Sequence, residues 1–124
     1  MADATLPPEL GEFIAEHIDS IAQLEALLLA RSTPDAIWDV QTTAKRLYIS
    51  EQEALETLAH LADHGILTRE GSGYRYQPTP ELAQSINVLA DHYRQNLITI
   101  TNLVHAKPRR IRQFADAFKL KKRD

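Results

Sequence analysis

The segment Ser50-Glu51-Gln52-Glu53 marks the start of a helix and constrains the fold more than any other stretch of the chain. The Ser50 hydroxyl can accept a hydrogen bond from the residue-53 amide, and the Glu53 carboxylate can accept one from the residue-50 amide, which makes a capping box. Gly65 can end the same helix, because glycine adopts the left-handed conformation that closes many helices. The apolar face between these ends comprises Ala54, Leu55, Leu58, Leu61 and Ala62. Both ends of a central helix are therefore predicted.

A shorter helix precedes the capped helix. Thr42-Thr43 offers its N-cap. Its apolar positions are Ala44, Leu47 and Tyr48. The connection between the two helices, Tyr48-Ile49-Ser50, is tight, as a helix-turn-helix requires. Upstream, residues 36–40 are β-prone and bounded by turn residues, which predicts a brief strand.

Two β-prone segments follow the capped helix. Ile66–Glu70 and Tyr74–Gln77 are joined by Gly71-Ser72-Gly73. A short connection that contains glycine is typical of a β-hairpin. We therefore expect a small antiparallel hairpin directly after the helix.

Helices flank this central unit on both sides. An apolar stripe after Pro7-Pro8 predicts one helix over residues 8–31, although Asp19-Ser20 could divide it into two. Thr79-Pro80-Glu81 combines a cap, a proline at the first helical position and an acid in the first turn. The stripe of that helix runs to Val104, so we interpret the β-branched stretch inside it, residues 98–101, as helix. A last short helix is predicted after Pro108.

The order of elements resembles the winged helix-turn-helix regulators of the MarR and PadR type. The resemblance covers about residues 20–78 and is carried by Thr43-Ala44-Lys45-Arg46-Leu47-Tyr48-Ile49-Ser50, the aliphatic positions that follow, and His64-Gly65-Ile66-Leu67. It implies a mainly α fold with a small β-wing, extended by N- and C-terminal helices. A single domain over residues 1–124 is expected, with residues 36–78 as helix-turn-helix and wing. By position, residues 79–124 resemble the dimerisation helices of that superfamily, followed by a basic tail.

The composition excludes several classes of function. The chain of 124 residues fits one domain and contains no cysteine, so it has no disulfide framework and no cysteine nucleophile. The beginning of the chain lacks a basic region followed by an apolar stretch, and no apolar run could span a membrane, so we expect a cytoplasmic protein. Ser72 has no sequence-level partner for nucleophilic catalysis, and its loop is too short to cradle a phosphate. We expect neither an enzyme nor a cofactor.

Charge is distributed unevenly along the chain. Residues 107–124 have a net charge of +6, so residues 1–106 carry −9 of the total of −3. A split of this kind indicates a segment that meets an anionic partner or one that docks on its own acidic body. The composition does not choose between these two interpretations.

Duplex DNA is the first partner that the resemblance implies, for a small transcriptional regulator. The expected DNA-binding residues are Thr43, Lys45 and Arg46 before the turn; Gln52 and Thr57 on the capped helix; Arg69, Ser72 and Arg75 at the wing; and Lys107, Arg109, Arg110, Arg112, Lys121, Lys122 and Arg123 in the tail. The cations near the wing have an alternative interpretation as solvated charges that pair with Glu70 and with the acids of the helix. The tail cations have a similar alternative, in which they neutralise the acidic body of a neighbouring subunit.

The capped helix departs from the basic face usual in DNA-reading proteins. None of its expected solvent-facing residues is Lys or Arg, and four are acidic. Protein–DNA affinity depends on cations that neutralise phosphates, so this helix is poorly suited to the major groove. The alternative function is a non-enzymatic adaptor that binds a protein through Glu53, Glu56 and His60. His60 and His64 stand four residues apart, and we interpret them as polar residues at an exposed helix edge rather than metal ligands.

A homodimer is also expected. Beyond the main stripe of the helix that begins at residue 80, Val88, Ile98 and Leu103 add apolar surface. That is more apolar surface than one small domain usually covers by itself.

Overall fold

A computed structural model describes residues 6–106 of the chain. This part is mainly helical, as the sequence predicts, and contains six helices and one small antiparallel sheet of two strands. In chain order the elements are α1 (Pro8–His17), α2 (Ile21–Ser32), α3 (Val40–Leu47), α4 (Glu51–Asp63), β1 (Leu67–Glu70), β2 (Gly73–Tyr76), α5 (Pro80–Tyr93) and α6 (residues 97–106). The basic tail and the last short helix expected after Pro108 lie outside the described residues.

The N-terminal segment forms two helices, so the prediction of one helix over residues 8–31 is wrong. Ile18 is extended and ends α1. Ser20 then caps α2, because its hydroxyl accepts a hydrogen bond from the Gln23 amide at 3.1 Å. The Asp19 amide donates to Gln23 Oε1 at 2.6 Å. Short polar side chains at caps compete with helical bonding, and here they divide the helix at the Asp19-Ser20 alternative.

Helix α3 starts earlier than the sequence predicts. Its N-cap is Asp39, whose carboxylate accepts from the Thr42 amide at 2.7 Å, so the predicted cap at Thr42-Thr43 is wrong. The Thr42 backbone amide, the largest of several causes, lowers the pKa of Asp39 below its ordinary value. The predicted strand over residues 36–40 is reduced to one bridge, in which Trp38 and Tyr74 exchange backbone hydrogen bonds of 2.7 and 2.9 Å.

Helices α3 and α4 meet at a tight turn, and the predicted boundaries of α4 are confirmed. The Ser50 hydroxyl accepts from the Glu53 amide at 3.0 Å. Among the hydrogen bonds of residues 6–106, none returns from the Glu53 side chain to the Ser50 amide, so only half of the predicted capping box forms. At the other end Gly65 has φ +77°, and the Ile66 amide donates to the Leu61 carbonyl. This is the Schellman closure expected at a glycine.

The hairpin is tighter than expected, because its loop is Gly71-Ser72 and β2 begins at Gly73. Gly71 has φ +63°, which suits the first loop position of a type II′ turn. Gly73 lies close against the segment before α3. A Cβ at this position would lie 2.7 Å from Ile37 Cγ2 and 2.8 Å from the Trp38 carbonyl oxygen. Gly73 therefore allows the hairpin to lie against the segment before α3.

The C-terminal helical segment is interrupted, so the prediction of one stripe-bearing helix up to Val104 is wrong. The predicted Thr79 cap is confirmed, since its hydroxyl accepts from the Leu82 amide at 3.3 Å. Helix α5 ends at Tyr93. Asn96 then donates through both its backbone and its side-chain amide to the His92 carbonyl, and its own carbonyl accepts from the Ile100 amide. Residues 98–101 are helical, as interpreted from the sequence.

One apolar core joins these elements. Helix α1 packs on α5, α2 packs on α4 and α3, and the hairpin contacts α4 and α2. The largest fully buried apolar side chains are Leu10, Ile14, Ile18, Leu24, Leu27, Leu61, Ile66, Ile86, Leu89, Ile100 and Val104. Two residues of α6, Leu97 and Ile98, stay exposed. Across residues 6–106, no helix combines the length and the apolar character needed to cross a membrane.

Candidate macromolecule-binding surface

The outward side of α4 is acidic. Four of its exposed side chains are carboxylates, which we call the acidic face: Glu51, Glu53, Glu56 and Asp63. The helix contains no Lys or Arg. Gln52 lies among these residues and donates from Nε2 to Glu56 Oε2 at 2.9 Å. A surface of this charge attracts cations and repels phosphates.

Two of the expected DNA-binding residues are buried and cannot reach a partner. Thr57 is 3% exposed and Thr43 is 1% exposed. Thr57 follows Ala54 by three residues and precedes Leu61 by four, which places it on the core-facing side of α4. The prediction that Thr57 faces solvent is therefore wrong. Thr43 lies beside Ala44 on the buried side of α3.

Three exposed cations lie near α4. Lys45 and Arg46 occupy the last turn of α3, where the Arg46 guanidinium lies 5.5 Å from the centroid of the Trp38 ring. Arg69 on β1 lies 5.6 Å from the Tyr74 ring centroid. Both arginines therefore keep their charge at the surface while an aromatic face supports the side chain.

Arg75 has a different environment. Its Nη2 lies 2.7 Å from Glu70 Oε1, an ion pair across the hairpin. The pairing with Glu70 that the alternative interpretation of this cation expected is present. Ser72 is exposed at the tip of the hairpin, beside this pair. The tip thus presents a hydroxyl, and Arg75 farther along β2 is engaged in a partly exposed ion pair.

A groove lies between α4 and the hairpin, with a volume of about 250 Å³. We call it the hairpin groove, and its lining residues are Leu55, Arg69, Gly71, Ser72, Gly73 and Tyr74. Leu55 is 44% exposed although it is apolar. On the helix it follows Glu51 by four residues, so an apolar spot lies next to this carboxylate of the acidic face. The sequence pattern predicts Leu55 on the core side of α4, so this exposed apolar spot is not predicted.

His60 is less accessible than the sequence suggests. Its side chain is 19% exposed, and its Nε2 lies 2.7 Å from the His17 carbonyl oxygen. The His60 ring stacks on His64 with centroids 4.2 Å apart, and His64 Nδ1 lies 2.9 Å from His17 Nδ1. The interpretation of His60 and His64 as residues at an exposed edge is wrong, because both join α4 to α1. In the described chain, no group of three or more His, Asp or Glu is arranged to hold a metal ion.

Tyr48 is a surface residue that sequence analysis placed in the apolar stripe of α3. It lies in the turn between α3 and α4, has φ +58° and is 94% exposed. The left-handed conformation is uncommon for a residue with a bulky side chain. It turns the phenol ring away from the core, beside the cations of α3. The expected tail residues, from Lys107 to Arg123, lie outside the described residues.

The comparisons with known proteins add no relative. No family model matches the chain, and neither a curated protein nor a solved structure matches it. The resemblance to winged-helix regulators therefore rests on the residues and on the order of elements alone.

Proposed function

We propose that this chain is a non-enzymatic winged helix-turn-helix module that binds a basic protein segment through the acidic face and the hairpin groove. The observation that carries the proposal is the acidic face itself, with four exposed carboxylates and no cation on α4. The order α3, tight turn, α4 and hairpin supports the winged-helix assignment. In that fold, α4 takes the place of the helix that enters the major groove of DNA.

Electrostatics favours a protein over a nucleic acid at this surface. A helix between two rows of phosphates needs cations, and each carboxylate there adds repulsion. Of the residues expected to bind DNA, Thr43 and Thr57 are buried and Arg75 is paired with Glu70. A basic protein segment would instead find carboxylates for its cations and Leu55 for an apolar side chain.

Duplex DNA is the second candidate. It is favoured by Lys45, Arg46 and Arg69, which are exposed on both sides of the turn and hairpin, and by the charge of residues 107–124. In this alternative the chain is a transcriptional regulator whose cations hold the phosphates. The expected homodimer fits both candidates, and exposed Leu97 and Ile98 offer apolar surface for it.

Binding titrations with two charge variants test the proposal. The probes are a labelled amphipathic peptide of lysine and leucine and a labelled nonspecific duplex. The double variant Glu53→Gln/Glu56→Gln should weaken peptide binding several-fold, mainly through a slower association at low salt. Lys45→Ala, which removes an exposed cation of α3 outside the groove lining, should leave peptide binding nearly unchanged.

The matched control is Asp91→Asn, which removes an exposed carboxylate from α5. It should bind the peptide as the parent chain does. If the parent chain binds the duplex but not the peptide, and Arg69→Ala weakens the duplex complex, the DNA candidate replaces the proposal.

A further inference from the structure

The hairpin groove is an apolar site framed by charge, and no described residue fills it. Leu55 and Tyr74 contribute apolar lining. Ile37, which is 44% exposed, adjoins Gly73 on the same part of the surface. On α4, Glu51 lies one turn before Leu55, and both Glu51 and Glu56 are exposed. An apolar spot surrounded by charged groups is a common arrangement at binding sites for peptides, where one side chain anchors and the rim selects.

The chain itself contains a segment with the complementary chemistry. Residues 107–124 carry eight basic side chains against two acidic ones, whereas residues 1–106 have a net charge of −9. Apolar residues are interspersed among these cations, at Ile111, Phe114, Phe118 and Leu120. A segment of this composition can offer an apolar anchor and flanking cations at the same time.

The length of the segment permits it to reach the groove. The described residues end at Ala106, and 18 residues follow. An extended chain of that length spans about 60 Å, at 3.3–3.6 Å per residue. A folded domain of about 100 residues has a radius of gyration of about 13 Å. Every face of the domain is therefore within reach of residues 107–124.

We propose that residues 107–124 dock in the hairpin groove of their own chain. A phenylalanine of the segment packs on Leu55, and its cations lie against Glu51 and Glu56. Single exposed ion pairs contribute little, so the anchor and several charges act together. This inference rests on the proposed function, because it makes the segment a built-in competitor for the surface that a basic partner would use. A partner then binds only by displacing the segment.

Paramagnetic NMR tests the docking on the full chain. The chain has no cysteine, so Lys119→Cys introduces a single site for a nitroxide label. We expect strong broadening of the amide signals of Leu55, Glu56 and Ser72, and much weaker broadening elsewhere. Raising the salt concentration should reduce the effect, because the exposed charges are screened.

Variants of the labelled chain identify the surface. Glu51→Gln/Glu56→Gln should restore at least half of the lost signal intensity at Leu55 and Ser72, whereas Asp91→Asn should restore none. Unselective broadening in the parent chain would overturn docking while leaving the peptide titrations to judge the proposed function. Selective broadening that disappears when excess unlabelled chain is added would assign the segment to a neighbouring copy, and docking within one chain would be wrong.

Discussion

Helix α4 and the hairpin are neighbours in the fold, yet their exposed surfaces have opposite character. The outward side of α4 presents carboxylates and no cation, whereas the hairpin presents two arginines, each with a local contact. Arg75 is paired with Glu70, and Arg69 lies on the Tyr74 ring. The proposed function rests on this difference, because duplex DNA favours cations on both elements. The charge of a helix or hairpin in the sequence therefore indicates a binding partner only when the contacts of each charged side chain in the fold are also known.

The largest expected effect is a difference in the free energy of unfolding between substitutions on the buried and the exposed sides of α4. Leu61 is fully buried, so Leu61→Ala should lower the free energy of unfolding by about 2–5 kcal/mol. Leu55 is 44% exposed, so Leu55→Ala should change it by about 0.5 kcal/mol or less while weakening binding of the lysine–leucine peptide. Denaturant unfolding and peptide titration of both variants check this pair. Equal stability losses would show that Leu55 belongs to the core.

The next effect concerns how the hairpin is attached. Gly73→Ala forces a Cβ against Ile37 and the Trp38 backbone, and should cost about 1–3 kcal/mol. Gly11→Ala is the matched control, because nothing lies within 4 Å of its added Cβ. That change in α1 should be neutral or stabilising by up to about 1 kcal/mol. Thermal melts compare the two, and an unaffected Gly73→Ala variant would contradict the close contact.

The capping of α4 gives a smaller effect. Ser50→Ala should lower the free energy of unfolding by about 0.5–2 kcal/mol, since it removes the acceptor of the Glu53 amide. Glu53→Ala should cost less, because no bond from its carboxylate to the Ser50 amide is formed among the described residues. Unfolding curves of the two variants decide the order. A larger loss for Glu53→Ala would mean that its carboxylate stabilises the fold rather than standing free for a partner.

The sequence predicted those helix ends that depend on nearby residues alone. Ser50, Gly65 and Thr79 were placed correctly because each cap or closure depends on residues within a few positions. Ser20 and Asn96 also act locally, but an apolar stripe continues across both breaks and favoured unbroken helices.

The candidate site was less predictable than the fold. The acidic character of α4 follows from the sequence directly. The burial of Thr57 depends on which helix covers each edge of α4, and the position of His60 depends on a carbonyl 43 residues away. The hairpin groove needs the same kind of information, because it forms only when Leu55 and the Gly71–Tyr74 segment come together.

The smallest expected effect is on the pH dependence of stability and concerns Asp39. Its carboxylate caps α3, whereas those of the acidic face extend into solvent. The pKa of Asp39 is lowered in the folded chain, mainly by the Thr42 backbone amide. Its contribution to stability is therefore present above the ordinary carboxyl pKa of 3.8 and is lost as the pH falls through the lower folded value. The stability difference between the parent chain and Asp39→Asn should be constant above about pH 5 and shrink below about pH 4. Unfolding at a series of pH values measures it, with Asp35→Asn as control. A difference that grows on acidification would contradict this role.

Amide chemical-shift mapping tests the central claim most directly, because it locates each ligand on the surface. The isotope-labelled full chain is titrated with the lysine–leucine peptide and, separately, with nonspecific duplex at about 50 mM salt, where electrostatic DNA binding is favoured. We expect the peptide to shift the signals of Leu55, Glu56 and Ser72 and the duplex to leave them unchanged. Shifts at Lys45, Arg46 and Arg69 with duplex, and none on α4 with peptide, would contradict it.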